Sequence, residues 1–120
     1  MPRVTFTDPE VAGVGLTEAE ARSGGHAVHV HTKLVREVGR ARAVGETEGF
    51  VKVVLDRTNR RLLGATIVAA HAGDMLAELT MPLHQDQGAL DSLLATTFAH
   101  PTLSEAVKVA VRGAVAEIAP

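Results

Sequence analysis

The chain has 120 residues, a net charge of −2 at neutral pH, 46% hydrophobic residues and no cysteine. This length suits one domain that folds without disulfides or a structural metal. The lack of cysteine excludes a thiol nucleophile within these residues, and the scattered positive charge with few aromatic side chains argues against nucleic acid as a partner.

The sequence also carries no membrane or export signal. No apolar run approaches the roughly 18 residues needed to span a bilayer, and the first six residues lack the layout of a signal peptide. We therefore expect a cytoplasmic protein with no membrane partner. Its hydrophobic residues are mostly Ala, Val and Leu, so some aliphatic surface is expected to face a partner.

The N-terminal part of the chain predicts an edge strand followed by a short helix. Residues 11–16 are apolar but interrupted by two glycines, which indicates an irregular edge strand. Thr17 and Glu20 have the spacing of a capping box, and Ser-Gly-Gly at residues 23–25 ends the helix.

A second strand is expected over residues 26–34. Two valines alternate there with His29 and His31, the period of a half-buried strand that places both imidazoles on one face. Residues 37–48 are polar and predict a loop or a weak strand.

A β-hairpin is the clearest element of the sequence. Residues 49–56 and 61–70 are rich in Val, Ile and Leu, and the polar residues 57–60 between them predict the turn. Both arms should be central in a sheet.

The last third is predicted to be helical. A helix over residues 73–87 has a leucine face, and Pro82 is expected to kink it because proline removes a backbone donor. Residues 91–94 indicate a short helical turn, and residues 103–118 predict the last helix. Its apolar stripe consists of Val107, Ala110, Val111, Ala114 and Val115.

Together these elements predict the fold class. Strands followed by helices, without regular alternation, indicate an α+β fold in which helices cover an antiparallel sheet mainly on one face. No linker or repeat divides residues 1–120, so we expect a single domain.

The main chemical signal lies at the start of the last helix. His100 precedes Pro101, and Thr102 and Glu105 have the spacing of a second capping box. Glu105 therefore has two possible roles. It accepts the backbone N–H of Thr102 and caps the helix, or it accepts a hydrogen bond from His100 and holds the other ring nitrogen towards a substrate. The spacing alone favours the cap.

Histidines elsewhere suggest a second, weaker kind of site. His26, His29 and His31 lie close enough in sequence for a cation site. They lack an Asp, Glu or Cys partner at fixed spacing, so a solvated strand face is the favoured interpretation and no metal site is predicted. His71 and His84 are expected to face solvent or to cap a helix.

The motifs support neither a serine hydrolase nor a dinucleotide-binding domain. Ser104 lies in the first turn of a helix and not in the Gly-x-Ser-x-Gly elbow of a serine hydrolase. Gly13 and Gly15 are not followed by a third glycine at the spacing of a dinucleotide-binding turn. The chain therefore offers no nucleotide-binding motif of its own.

Four blocks resemble one known family. Residues 98–105, Phe-Ala-His-Pro-Thr-Leu-Ser-Glu, resemble the His-Pro-Thr-x-x-Glu segment of the flavin-dependent pyridine nucleotide-disulfide oxidoreductases, which include lipoamide dehydrogenase, glutathione reductase and mercuric reductase. Residues 6–18 resemble the opening of that family's C-terminal interface (dimerisation) domain. Residues 49–54 and 63–65 resemble its central hairpin. The blocks follow the family's order and span nearly the whole chain.

The resemblance implies a fold, a site and partners. The fold is the dimerisation-domain fold of FAD- and NAD(P)-linked reductases. His100 is implied to be the acid/base for the redox-active dithiol of the other subunit, with Glu105 orienting it and favouring its protonated form. A cis peptide bond before Pro101 is also implied, and His100 and Pro101 are expected beside the flavin. The expected partners are a second copy, giving a homodimer, and the rest of the reductase polypeptide.

The resemblance covers only the C-terminal domain of such enzymes. The family's flavin domain, nicotinamide domain and cysteine-bearing helix are not in this sequence, so FAD and NAD(P) are expected in the full-length enzyme and none on this chain alone. We expect a fragment, inactive by itself, of a lipoamide dehydrogenase-like or mercuric reductase-like enzyme. The alternative is a free-standing homodimeric interaction module that binds metal through His26, His29 and His31. The sequence leaves the substrate and the choice between NADH and NADPH open.

Overall fold

The computed structural model describes residues 2–37, 45, 48–85, 87–96 and 104–118. These residues contain a sheet and a set of helices. The strands are β1 (Arg3–Thr5), β2 (Glu10–Gly15), β3 (Val28–Leu34), β4 (Phe50–Asp56) and β5 (Leu62–Ala69). The helices are α1 (Glu18–Ser23), α2 (Ala72–Met75), α3 (Ala77–Gln85), α4 (Asp91–Ala95) and α5 (Glu105–Glu117), and a 3-10 turn spans Val35–Glu37.

The sheet has five strands in the order β1-β2-β5-β4-β3, and every neighbouring pair is antiparallel. The predicted hairpin is confirmed as β4 and β5, which lie inside the sheet with Val51 opposite Ile67 and Val53 opposite Ala65. In its turn, Asp56 Oδ1 accepts the Thr58 backbone N–H at 2.8 Å. This side-chain contact fixes the turn locally.

One face of the sheet carries the main core. Val51, Val53 and Leu55 of β4 point to this face because alternate residues of a strand share a side. The buried side chains of α5 that pack against it are Ala106, Val107, Ala110, Val111 and Ala114. Helices α2, α3 and α4 complete the same layer through Met75, Leu79 and Leu93. The α+β prediction, with helices mainly on one face, is confirmed.

Among the described residues, α1 covers part of the opposite face. Ala21 of this helix packs with Val28 and Val54. The predicted capping box is confirmed, because Thr17 Oγ1 accepts the Glu20 N–H at 3.1 Å while Glu20 Oε1 accepts the Thr17 N–H at 2.9 Å. This reciprocal pair starts a helix that is too short to persist without a cap.

Helix boundaries differ from the prediction in two places. The expected helix over residues 73–87 is divided at Leu76 into α2 and α3, and Pro82 lies inside α3. The Leu76 carbonyl accepts the Leu79 N–H at 2.9 Å, so α3 starts with a tight turn. The last helix begins at Glu105 and not at residue 103.

Strand β1 was not predicted, because three residues on a sheet edge give too short a pattern to detect. Among the described residues, no helix is both long and apolar enough to cross a bilayer.

Candidate functional site

The segment that carries the predicted acid/base pair lies only partly within the described residues. His100, Pro101 and Thr102 are outside them, as is the implied cis peptide bond before Pro101. Glu105 is described and is the half-buried first residue of α5, with Ser104 at the N-cap position. The pairing of His100 with Glu105 and the capping box of Thr102 therefore stay predictions.

Both ends of this segment are held in place. Thr96 ends α4, and its hydroxyl donates to the Ser92 carbonyl at 2.7 Å. The Lys108 ammonium, one turn into α5, donates to the Thr96 carbonyl. On the other side of the segment, the Ser104 carbonyl accepts the Val107 N–H at 3.0 Å. A hydrogen bond thus joins the residue that ends α4 directly to the first turn of α5.

The helices on either side are anchored in the core. Leu93 of α4 and the apolar stripe of α5 are buried in the main cluster under the sheet. Side chains that start from such packed elements are positioned more reproducibly than those on free loops. Helices α4 and α5 are therefore fixed against the sheet.

The other end of α5 is joined to β3 by histidines. His29 Nε2 and His31 Nδ1 lie 2.8 Å and 2.9 Å from the same oxygen, Glu117 Oε1. The imidazoles are 12% and 21% exposed. Our prediction of a solvated histidine face is wrong for these two residues, because α5 covers that face of the strand.

Gly113 allows this close packing. A Cβ atom at this position would lie 2.7 Å from His31 Nε2, closer than real contacts permit. The glycine therefore lets the helix approach the imidazole, at the usual cost of a glycine inside a helix.

Hydrogen bonds from His29 and then His31 hold the pKa of Glu117 below its ordinary value. A lowered pKa in the folded state means that the ionised carboxylate favours folding. This contribution is present above the ordinary pKa of glutamate and is lost as the pH falls through the lowered value.

His26 belongs to a different pair. Its Nδ1 lies 3.3 Å from Asp56 Oδ2, at the hairpin turn. Hydrogen bonds from the Thr58 side chain and backbone, followed by that from His26, lower the pKa of Asp56. The structure thus does not bring His26 to Glu117, the carboxylate shared by His29 and His31.

Two further predictions about histidines and metal can be compared with the structure. His71 and His84 are exposed, as predicted. Within the described ranges, no group of three His, Cys, Asp or Glu is placed to hold a metal ion. The three-histidine metal site of the alternative hypothesis is therefore wrong, because the imidazoles bind two separate carboxylates.

Glu117 is the residue that the sequence reasoning missed. It lies four residues after Gly113 on the predicted last helix, so the two share a helix face. The sequence signal for this contact is weak, because it consists of a small residue and a carboxylate on one helix face and of alternating histidines more than 80 residues away.

Comparison with known proteins identifies the class to which this α+β domain belongs. The sequence profile of the pyridine nucleotide-disulphide oxidoreductase dimerisation domain matches residues 1–111. Dihydrolipoyl dehydrogenase 2 of Haloarcula marismortui is 45% identical over 95% of this chain and 24% of its own length. The dihydrolipoyl dehydrogenase of Thermus scotoductus is 46% identical over 88% of this chain and 23% of its own length.

Solved structures agree with the sequence comparison. The HOCl-induced flavoprotein disulfide reductase RclA of Escherichia coli superposes with a TM-score of 0.86 at 28% identity, over 93% of this chain and 26% of that protein. The chain belongs to the pyridine nucleotide-disulphide oxidoreductase dimerisation-domain family. It spans about a quarter of the length of the curated relatives it matches.

Proposed function

We propose that this chain is the dimerisation domain of a lipoamide dehydrogenase-like flavoprotein disulfide reductase, and that it supplies an acid/base histidine to the partner subunit. In this proposal His100 exchanges a proton with the dithiol of the partner, and Glu105 orients the imidazole. The observation that carries the proposal is the family match, which includes residues 98–105. The joined ends of α4 and α5 support it, because a proton donor must be held in position to act.

His100 would serve as base when the reduced substrate gives up its proton and as acid in the reverse direction. A neutral imidazole accepts the thiol proton, and the thiolate that forms is the nucleophile that attacks a disulfide. Glu105 would favour the imidazolium by its negative charge and so help the proton to leave the thiol.

The cofactors would be held by the rest of the reductase. The described residues include no nucleotide-binding turn, and the relatives are about four times as long as this chain. When bound there, FAD and NAD(P) supply electron transfer between nicotinamide and dithiol. This chain would contribute His100 and Pro101 beside the flavin.

An apolar row that is partly exposed among the described residues supports the presence of further protein on the sheet. Val11, Val68, Phe50 and Leu34 are successive register partners across β2, β5, β4 and β3. They alternate with core residues and so lie on the face of α1, and Val11 is exposed. Exposed apolar rows of this kind are typical of surfaces that meet other protein.

A domain exchange tests the proposal. We define the chimera as the Thermus scotoductus dihydrolipoyl dehydrogenase in which this chain replaces the dimerisation domain. The chimera should sediment as a flavin-containing dimer and should oxidise dihydrolipoamide with NAD⁺, since the core positions of this fold accept related side chains at 46% identity.

A matched control is the host enzyme truncated before its dimerisation domain, which should be inactive. A folded, flavin-loaded chimera that sediments as a monomer would contradict the dimerisation role. A dimeric chimera without activity would contradict the supply of His100 to the dithiol.

A further inference from the structure

The convergence of two imidazoles on one carboxylate oxygen is a feature that the proposed function does not use. Glu117 is 47% exposed and both imidazoles are largely covered, so the contact joins the helical layer to the edge strand at the rim of the core. We call His29, His31 and Glu117 the rim clamp. It holds the last turn of α5 on β3.

The protonation of the rim clamp follows from donor and acceptor counting. A neutral imidazole has one N–H, so both bonds to Glu117 are satisfied when His29 carries its proton on Nε2 and His31 on Nδ1. A further proton on either ring places a positive charge within hydrogen-bond distance of the carboxylate. Because the carboxylate is ionised, both hydrogen bonds are charge-assisted already, and the further proton adds the attraction between opposite charges at this short distance.

The charged and uncharged groups around the clamp have contacts of their own, and the Arg57 guanidinium donates to the Val28 carbonyl, next to His29, at 3.2 Å. The strand partners of His29 and His31 on β4 are the uncharged Leu55 and Val53. Lys33, next on the same face of β3, is paired with Glu37 at 3.1 Å. On α5, Gly113 packs against His31, and Arg112 is exposed.

We propose that the rim clamp makes the docking of α5 on the sheet pH-sensitive, tighter in mildly acidic solution than in alkaline solution. Imidazole is the side chain that gains its proton between pH 8 and pH 5. In that range Glu117 stays ionised, so acidification adds positive charge beside a fixed negative charge. The clamp acts at the last turn of α5, the end of the helix opposite to Ser104 and Glu105.

Hydrogen exchange of the α5 amides in the 120-residue chain tests this proposal. Wild type and Glu117→Gln are compared at pH 6 and at pH 8.5, as protection factors that remove the intrinsic pH dependence of exchange. At pH 6 the variant should lose about two- to fivefold protection in the last turns of α5, the scale of a partly exposed ion pair. At pH 8.5 the loss should be clearly smaller.

Glu18→Gln is the matched control. Glu18 is a surface carboxylate paired with Arg22 at 2.9 Å and Lys52 at 3.4 Å, cations that keep their charge throughout this range. The Glu18→Gln substitution should change the hydrogen exchange of the α1 amides equally at both pH values. An equal effect of Glu117→Gln at pH 6 and pH 8.5, or no effect at either, would overturn the proposal.

The double variant His29→Gln/His31→Gln gives a second measurement. It should remove the pH dependence of α5 protection, and adding Glu117→Gln to it should change protection no further. If the protection of α5 still depends on pH without both imidazoles, other groups cause that dependence and the proposal is wrong. The proposal rests on described contacts and does not depend on the role of His100.

Discussion

Replacing His100 with Gln in the chimera lowers turnover by about 10²–10⁴-fold, the usual effect of removing a positioned proton donor or acceptor. Glutamine keeps the approximate size of the side chain but cannot take up a proton at neutral pH. Flavin absorbance and dimerisation should be unchanged, because the proposal gives His100 a role in proton transfer and none in binding the flavin or joining the subunits. Steady-state and single-turnover kinetics measure the effect on chemistry separately from product release.

His26→Gln is the control for this measurement. His26 lies at the hairpin turn beside Asp56 and has no proposed catalytic role, so its replacement should leave turnover within about twofold of the chimera. Normal turnover in His100→Gln would exclude the histidine as the acid/base group.

Glu105→Gln separates the two interpretations of this carboxylate. An orienting role predicts slower turnover at an almost unchanged melting temperature, whereas a pure capping role predicts normal turnover with a small loss of stability. The position of Glu105 at the start of α5 is compatible with both.

Replacing Gly49 with Ala destabilises the domain by about 3 kcal/mol or more, because it combines backbone strain with a steric clash. Gly49 has φ of +118°, where side chains are rarely found, and a Cβ there would lie 1.7 Å from the Val68 carbonyl oxygen. That carbonyl belongs to the central strand β5, so relief of the clash must disturb the sheet. Urea unfolding followed by circular dichroism measures the loss, since the chain has no Trp or Tyr for fluorescence.

Gly25→Ala is a control with similar strain and no clash. Gly25 has φ of +86°, and an added Cβ would meet nothing within 4 Å. Its replacement should lower the free energy of unfolding by only roughly 1–2 kcal/mol, the cost of a side chain on a backbone in the left-handed region. Equal losses in the two variants would show that the contact with Val68 does not limit stability.

The sheet and the order of its elements could be predicted because the local signals agree with the tertiary structure. Strands β4 and β5 have long β-branched runs on either side of a polar turn, and the Thr17 capping box marks α1 without help from packing. Each of these signals lies within a few neighbouring residues, so the sequence alone carries it.

The environment of the histidine strand could be predicted only in part. Alternation correctly placed His29 and His31 on one face, but it cannot tell which layer covers that face. The answer depends on Gly113 and Glu117, which are more than 80 residues away in the chain. Contacts of this kind follow from the docking of α5 and not from local pattern.

The division of the long helix was missed for a similar reason. Pro82 is the strongest local signal for a distortion, yet the break lies at Leu76, where the chain turns to bury both Leu76 and Leu79. Burial of these two side chains outweighs the small cost of a tight turn. For the acid/base segment, the prediction rests on the family's motif, because His100 lies outside the described residues.

The trans action of His100 can be measured in a mixed dimer. One protomer is the chimera with His100→Gln and an intact dithiol, and its partner is the chimera with intact His100 and the host enzyme's redox-active cysteines replaced by serine. Each parent homodimer should be nearly inactive. If His100 serves the dithiol of the other subunit, the mixed dimer contains one complete site and should show about half the turnover of the unmodified chimera. A mixed dimer that is no more active than its parents would contradict delivery across the dimer.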